Sequence, residues 1–261
     1  MKRLKLKFSK MDKFSVIISV YKNDKPEFVK VALDSIIRFQ SICPSEVVLI
    51  VDGLIEQGLN NVVETFEREF SSVVRVIRLK ENKGLGNALR LGVNESKFDI
   101  VARMDSDDIS APDRFEKQLL FLRDNPEVDI VGGQMTEFIG VPENMVGLRS
   151  VPLQNNEIYK NMRSRCALNH VTVMFRKKAV LAAGNYQDCF WNEDYYLWVR
   201  MMGCDCHFAN LPDTLVNVRV GVDMYSRRGG YKYFKSERWI QRLLLKKGMI
   251  SYPLYVKNIM I

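Results

Sequence analysis

Asp105-Ser106-Asp107-Asp108 follows an apolar run that ends at Met104. Two acids at i and i+2 in a loop can turn toward one ion, and hard carboxylate oxygens suit Mg2+ or Mn2+. A cation held by Asp105 and Asp107 keeps open positions for substrate phosphates, neutralises a diphosphate and makes it a better leaving group. The same residues also read as a solvated turn before a helix at Pro112, which Ser110 can cap without any of the acids.

A second acidic pair, Glu193-Asp194, precedes Tyr195, Tyr196, Leu197 and Trp198. Acids at a helix start are stabilised by the helix dipole. A carboxylate there can also act as a general base on an attacking hydroxyl. Asp52-Gly53 ends another apolar run, as a turn or as a ligand contact. Asn82-Lys83-Gly84-Leu85-Gly86-Asn87 opens a helix, and its backbone N–H groups can approach a phosphate or ribose as well as simply start that helix. Arg227-Arg228-Gly229-Gly230 reads either as a diphosphate clamp or as a solvated basic turn.

The remaining reactive side chains suggest less. His170 reads as a structural histidine opening an apolar strand, Trp198 reads as core, and His207 offers nothing distinctive. No Ser-His-Asp or Cys-His pattern points to acyl chemistry. Five cysteines, two of them at Cys204 and Cys206, fit neither a disulfide framework nor a zinc site and read as reduced thiols.

These residues need elements to position them. Strands are expected over 14–20, 46–51, 73–79, 98–104 and 128–132, as short apolar runs bounded by turn residues. Helices are expected over 26–39, 59–70, 84–94 and 112–125, the first with Pro26 in its first turn. This alternation predicts an α/β fold, a Rossmann-like mostly parallel sheet with helices on both faces. Such sheets bind ligands at the carboxyl ends of their strands, where Tyr21, Asp52 and Asp105 all fall. The second half is more variable. Helical segments at 157–163, 177–183 and 193–202 mix with short strands at 171–176 and 215–220. A basic, aromatic, amphipathic tail starts at Tyr231, suited to the protein core or to an anionic membrane. One domain is expected over 1–261: a regular half over about 14–135, a more variable half over about 136–230 and the tail over about 231–261.

The 261 residues are 47% hydrophobic and 27% charged, the composition of an ordinary globular protein. No transmembrane run and no signal peptide are recognisable, so a cytoplasmic location is expected. The net charge of +8 favours anionic partners. A non-catalytic basic binder of membranes or nucleic acid gives no reason for acids clustered at strand ends. A nucleotidyltransferase would be expected to carry a glycine-rich loop after its first strand, and Ser19-Val20-Tyr21-Lys22-Asn23-Asp24 has no glycine.

Together the motifs resemble glycosyltransferase family 2, with its GT-A fold, over nearly the whole chain. Residues 15–21 are similar to the family's opening strand, whose end at Val20 and Tyr21 contacts the nucleoside. Asp52 falls where the family places an acid that contacts uracil, although Val51-Asp52-Gly53-Leu54 lacks one acid of the frequent Asp-Asp-Gly-Ser. Residues 82–89 are similar to the Asn-x-Gly-Leu helix start, which brings in Asn82, Lys83 and Asn87. Residues 102–108 resemble the metal-binding Asp-x-Asp segment, and Asn192-Glu193-Asp194-Tyr195 resembles the acidic pair that supplies the base, here Asp194. Residues 169–176 and 225–230 resemble bacterial amylovoran and O-antigen enzymes. That likeness implies an inverting hexosyl transfer, of galactose or glucose, from a UDP-sugar to a sugar on a polyprenyl diphosphate. It also implies Mn2+ or Mg2+ at Asp105 and Asp107, Ser106 beside the nucleotide sugar, and Arg227 or Arg228 on a diphosphate. The inner membrane face and no nucleic acid are the expected surroundings.

Overall fold

The computed structural model describes residues 13–189, 191–221 and 230–260. Its core begins with β1 (Phe14–Val20), β2 (Glu46–Val51), β3 (Val74–Arg78) and β4 (Ile100–Met104), all parallel in the order β3-β2-β1-β4. Phe14, Val16, Ile18 and Val20 enter one core with α1 (Pro26–Ile37), α2 (Gln57–Glu69) and α4 (Arg114–Asp124). Ile17, on the opposite face, enters a second core with α3 (Leu85–Glu95). Burial on both faces explains why these strands read as unbroken apolar runs rather than alternating ones.

The sheet continues from β4 through β8 (Met174–Arg176), β6 (Ile130–Phe138), β9 (Phe208–Arg219) and β5 (Ile109–Ser110), with β7 (Met145–Arg149) alongside β6. The pairings β4–β8, β8–β6, β9–β5 and β6–β7 are antiparallel, and β6–β9 is parallel. Most of the paired length is therefore parallel, as expected for the α/β class.

In the second half the boundaries differ from the expected ones. β6 and β9 outrun the expected 128–132 and 215–220 because they pair with each other from Ile130↔Phe208 to Phe138↔Arg219. Gln134 tolerates burial in that ladder because its amide bonds the backbone of Val151 and Leu211. The expected strand over 171–176 opens instead as a 3-10 turn, His170–Thr172. There the Thr172 hydroxyl and N–H both donate to the Asn169 carbonyl, at 2.7 and 2.9 Å, and this local bonding competes with a ladder. β5 and β7 lack an apolar alternation that would have marked them.

Helices α5 (Asn155–Met162), α6 (Lys177–Ala182) and α7 (Glu193–Met202) cover the second core, together with α8 (Tyr231–Lys246) and α9 (Tyr252–Ile259). The tail thus docks on the protein: Ile240, Leu244, Ile250 and Tyr255 are buried there, while Tyr231, Phe234 and Trp239 stay exposed. Trp198 is fully buried, as read from its position. Among the described residues no helix is long and apolar enough to cross a membrane.

Candidate active site

Tyr21, Asp52 and Asp105 follow the carboxyl ends of β1, β2 and β4, three neighbouring strands. Parallel pairing puts Val20 opposite Val51 and Ile18 opposite Met104, so all three loops emerge on one edge. Asp52 is buried, and its two carboxylate oxygens accept the N–H groups of Lys83 at 2.7 Å and Gly84 at 3.0 Å. Asn82 donates its amide to the Asp52 carbonyl at 3.1 Å. Asp52 thereby ties the end of β2 to the loop that opens α3. Gly53 makes this approach possible: its φ is +90°, and a Cβ there would lie 2.7 Å from the Asn82 nitrogen. Gly53→Ala should cost about 1–3 kcal/mol in backbone strain, read as a lower melting temperature. An unchanged melting temperature would show that the loop yields freely.

The acid cluster divides into separate jobs. Asp105 is gripped by the two terminal nitrogens of Arg103, whose side chain is buried. Asp108 is also buried and accepts the Arg219 N–H at 2.8 Å, anchoring the loop to the end of β9. Burial, then the charges of Asp105 and Asp107, hold the Asp108 carboxyl well above the usual range. Asp107 stands at the solvent rim, yet the walls around its carboxyl and the charge of Asp105 push it up to about 6. Asp24 joins the group from the loop after β1. It accepts the Tyr21 N–H at 3.0 Å and a hydrogen bond from Ser106. Burial pushes it up to about 6 as well, with Asp107 and Asp105 adding to the rise. Beneath them the fully buried Arg114 donates to the Arg103 carbonyl at 2.7 Å, and its burial lowers its pKa to about 9.

Like charges crowded at one point are relieved by a cation. Among the described residues no three His, Cys, Asp or Glu side chains converge closely enough to hold a metal ion by themselves. The exposed Asp107, with Asp105 and Asp24 acting on one another beside it, offers hard carboxylate oxygens of the kind a divalent ion takes together with substrate oxygens.

Glu193 and Asp194 open α7. Burial and the neighbouring Asp194 push Glu193 up to about 7. Burial also raises Asp194, while the Tyr195 N–H and the charges of Arg103 and Arg149 pull it down. Gly86, in the first turn of α3, lets this end of α7 come close: a Cβ at Gly86 would meet the Glu193 Cβ at 3.4 Å. His170 Nδ1 lies 4.0 Å from Asp194 Oδ2, and its Nε2 meets the Tyr186 hydroxyl at 2.9 Å. Burial, then Arg103, hold His170 well below its ordinary pKa, so it is neutral. Reading His170 as the start of a strand missed this proximity, which the fold creates across 24 residues of sequence.

Asp194 lines a cleft of about 1000 Å³ with Tyr21, Leu85, Arg149, Arg165 and Cys166. The cleft therefore joins the β1 loop to the segments after β7 and α5 and to the start of α7. Of the residues read from sequence, Tyr21 and Asp194 share its wall, and Asp105, Ser106 and Asp107 lie with Asp24. Asn82 and Lys83 are exposed beside Asp52, and Lys83 Nζ pairs with Glu81. Asn87 donates back along the helix start to the Lys83 carbonyl at 2.8 Å. Arg227 and Arg228 lie outside the described residues. Asp24, Arg103 and Arg149 were missed. Asp24 has no motif of its own, and Arg103 sits inside the metal-like segment, where the acids alone drew the eye.

Residues 15–201 match the family model described as Glycosyl transferase family 2. The amylovoran biosynthesis glycosyltransferase AmsE of Erwinia amylovora is 40% identical, over 93% of this chain and 90% of its own length. A UDP-Gal:alpha-D-GlcNAc-diphosphoundecaprenol beta-1,3-galactosyltransferase of Escherichia coli is 35% identical, over 95% of this chain and 88% of its own. Among solved structures, S. aureus TarS 1–349 in complex with UDP-GlcNAc superposes with a TM-score of 0.69 over 95% of this chain and 70% of that one, at 17% identity. The Pyrobaculum calidifontis mannosyltransferase PcManGT, with GDP-Man and Mn2+, gives 0.62 at 15% identity over 95% and 79%. The sheet with its strand-end acids thus has the fold of these enzymes, and the chain belongs to glycosyltransferase family 2.

Proposed function

We propose that this glycosyltransferase moves a hexose, galactose or glucose, from a UDP-sugar to a sugar carried on a lipid diphosphate, with inversion at the anomeric carbon. The observation that carries the reading is Asp194. It is an acid of raised pKa at a helix start, lining an open cleft shared with Tyr21 at the strand edge. The donor class is supported by the UDP-GlcNAc complex of TarS, and the acceptor class by the name of the Escherichia coli relative.

In this mechanism Tyr21 and the backbone of Val20 face the nucleoside, Asp52 holds the loop beside it through the Lys83 and Gly84 N–H groups, and Asn82, Lys83 and Asn87 border its ribose and phosphates. Asp107 and Asp105, with Ser106 beside them, hold Mn2+ or Mg2+, which supplies charge neutralisation to the leaving diphosphate when bound. Arg227 or Arg228 steadies a diphosphate. Asp194 accepts the proton of the acceptor hydroxyl as its oxygen bonds to the anomeric carbon. The bond from that carbon to the donor diphosphate breaks on the opposite face, and the departing nucleotide takes the electron pair. Arg103 grips Asp105 and lowers Asp194 toward the ionised form the step needs. The exposed face of α8, with Tyr231, Phe234, Lys235, Arg238 and Arg242, rests on the anionic cytoplasmic face of the membrane.

Calorimetry with UDP and Mn2+ tests the donor site. Wild-type protein should bind UDP at least about tenfold more tightly with Mn2+ than with a chelator, and Asp107→Asn should erase that difference, as expected for one lost charged ligand. UDP binding that ignores both the metal and the substitution would remove the cation from the mechanism. Screening UDP-sugars for Mn2+-dependent hydrolysis then identifies the hexose.

A further inference from the structure

The cleft carries two guanidinium groups, from Arg149 and Arg165, and neither forms an ion pair with any described carboxylate. The backbone around Arg149 is pinned from below by buried polar side chains. Asn169, 1% exposed, donates to the Arg149 carbonyl at 3.2 Å and to the Gly133 carbonyl at 2.9 Å. Gln134 accepts the Val151 N–H at 2.7 Å. Arg149 is therefore held at the end of β7 by bonds on both sides, paired in register with Met135. Arg165 leaves the end of α5 through its N–H to the Asn161 carbonyl at 3.0 Å, next to Cys166. Cys166 Sγ lies 3.9 Å from Asp194 Oδ2.

Two cations thus line the same cleft as the base, and the charge of Arg149 reaches it. The third cation near Asp194, Arg103, is buried and already paired with Asp105. Two arginines that line one cleft, with no ion pair to any described carboxylate, suit a ligand with adjacent anionic oxygens, since guanidinium presents forked donors that match phosphate. The donor's diphosphate has its own place at the acid cluster after β4, so a second anion within reach of Asp194 belongs to the acceptor.

We propose that Arg149 and Arg165 bind the diphosphate that links the acceptor sugar to its lipid, and so set the acceptor hydroxyl against Asp194. This deepens the acceptor reading given above and rests on it. Transfer is measured with two acceptors, GlcNAc on a lipid diphosphate and the matching GlcNAc lipid glycoside without phosphates. Wild-type enzyme should prefer the diphosphate acceptor, and Arg149→Gln and Arg165→Gln should each cut that preference in kcat/KM by about tenfold or more, as charged hydrogen bonds do. The KM for the donor should stay within about twofold. Equal losses on both acceptors in the variants would overturn the diphosphate site while leaving the acceptor class standing. A wild-type enzyme that does not distinguish the acceptors would overturn the acceptor class and this site with it. If a variant is found unfolded by circular dichroism, Arg149→Lys is measured in its place, and full preference retained there also counts against the forked contact.

Discussion

Asp194→Asn should reduce transfer by about 10²–10⁴-fold, the usual contribution of a positioned general base, while Mn2+-dependent UDP binding survives. Asparagine keeps the size and the hydrogen bond from the Tyr195 N–H but cannot take a proton. The site makes this the largest functional effect, because Asp194 lines the cleft with Tyr21 at a helix start, with neutral His170 at 4.0 Å. The pH profile adds a second readout. Burial raises both Asp194 and Glu193, the latter to about 7, so the base stays protonated to higher pH than an ordinary carboxylate. Activity should therefore fall at a higher pH than the limb near about 4 that a free carboxylate would give. Glu193→Gln should retain much more turnover and move this limb to lower pH, because one neighbouring negative charge is gone. Wild-type turnover in Asp194→Asn, or a collapse confined to Glu193→Gln, would move the base to the other acid or out of the pair.

Arg103→Met should be strongly destabilising, by about 1–3 kcal/mol, because it leaves the half-buried Asp105 carboxylate and its acidic neighbours without their buried counter-charge. Arg103 grips both oxygens of Asp105, and its charge also reaches Asp107, Asp108, Glu193 and Asp194. Without it, Asp107, Asp108, Glu193 and Asp194 lose a buried cation that lowers all four, and their pKa values rise. In chemical denaturation the midpoint should drop. In any folded fraction the acid limb of activity should move to higher pH. Arg103→Lys keeps the charge but not the fork, so it should restore the pH limb more than the stability. A midpoint and a pH limb both unchanged in Arg103→Met would show that Asp105 is held by solvent rather than by this side chain.

The sequence by itself determined the first half of this protein well. Strands buried on both faces must be continuous apolar runs, and helices on either side of them must carry an apolar face at helical spacing. β1, β2 and β4 and their helices were therefore legible to within a few residues. So was the edge where Tyr21, Asp52 and Asp105 emerge, since a parallel sheet puts its strand ends on one side. Residue type also separated the two acidic motifs, because two carboxylates in a strand-end loop and two at a helix start suit different work.

Only the tertiary structure decided how those acids are held. Asp52 spends both oxygens on the Lys83 and Gly84 N–H groups, and Asp108 spends one on Arg219. Neither use has a sequence signature, because partners 31 and 111 residues away meet only in the folded chain. Asp24 next to Ser106, His170 next to Asp194, and the pinned Arg149 arise in the same way. In the second half, β6 and β9 are stabilised by each other and by buried amides such as Gln134, so their strands carry no periodic pattern of their own. Local pattern encodes which residues must be buried. Which polar groups then satisfy one another follows from the crossover of strands, and that is settled only when the sheet closes.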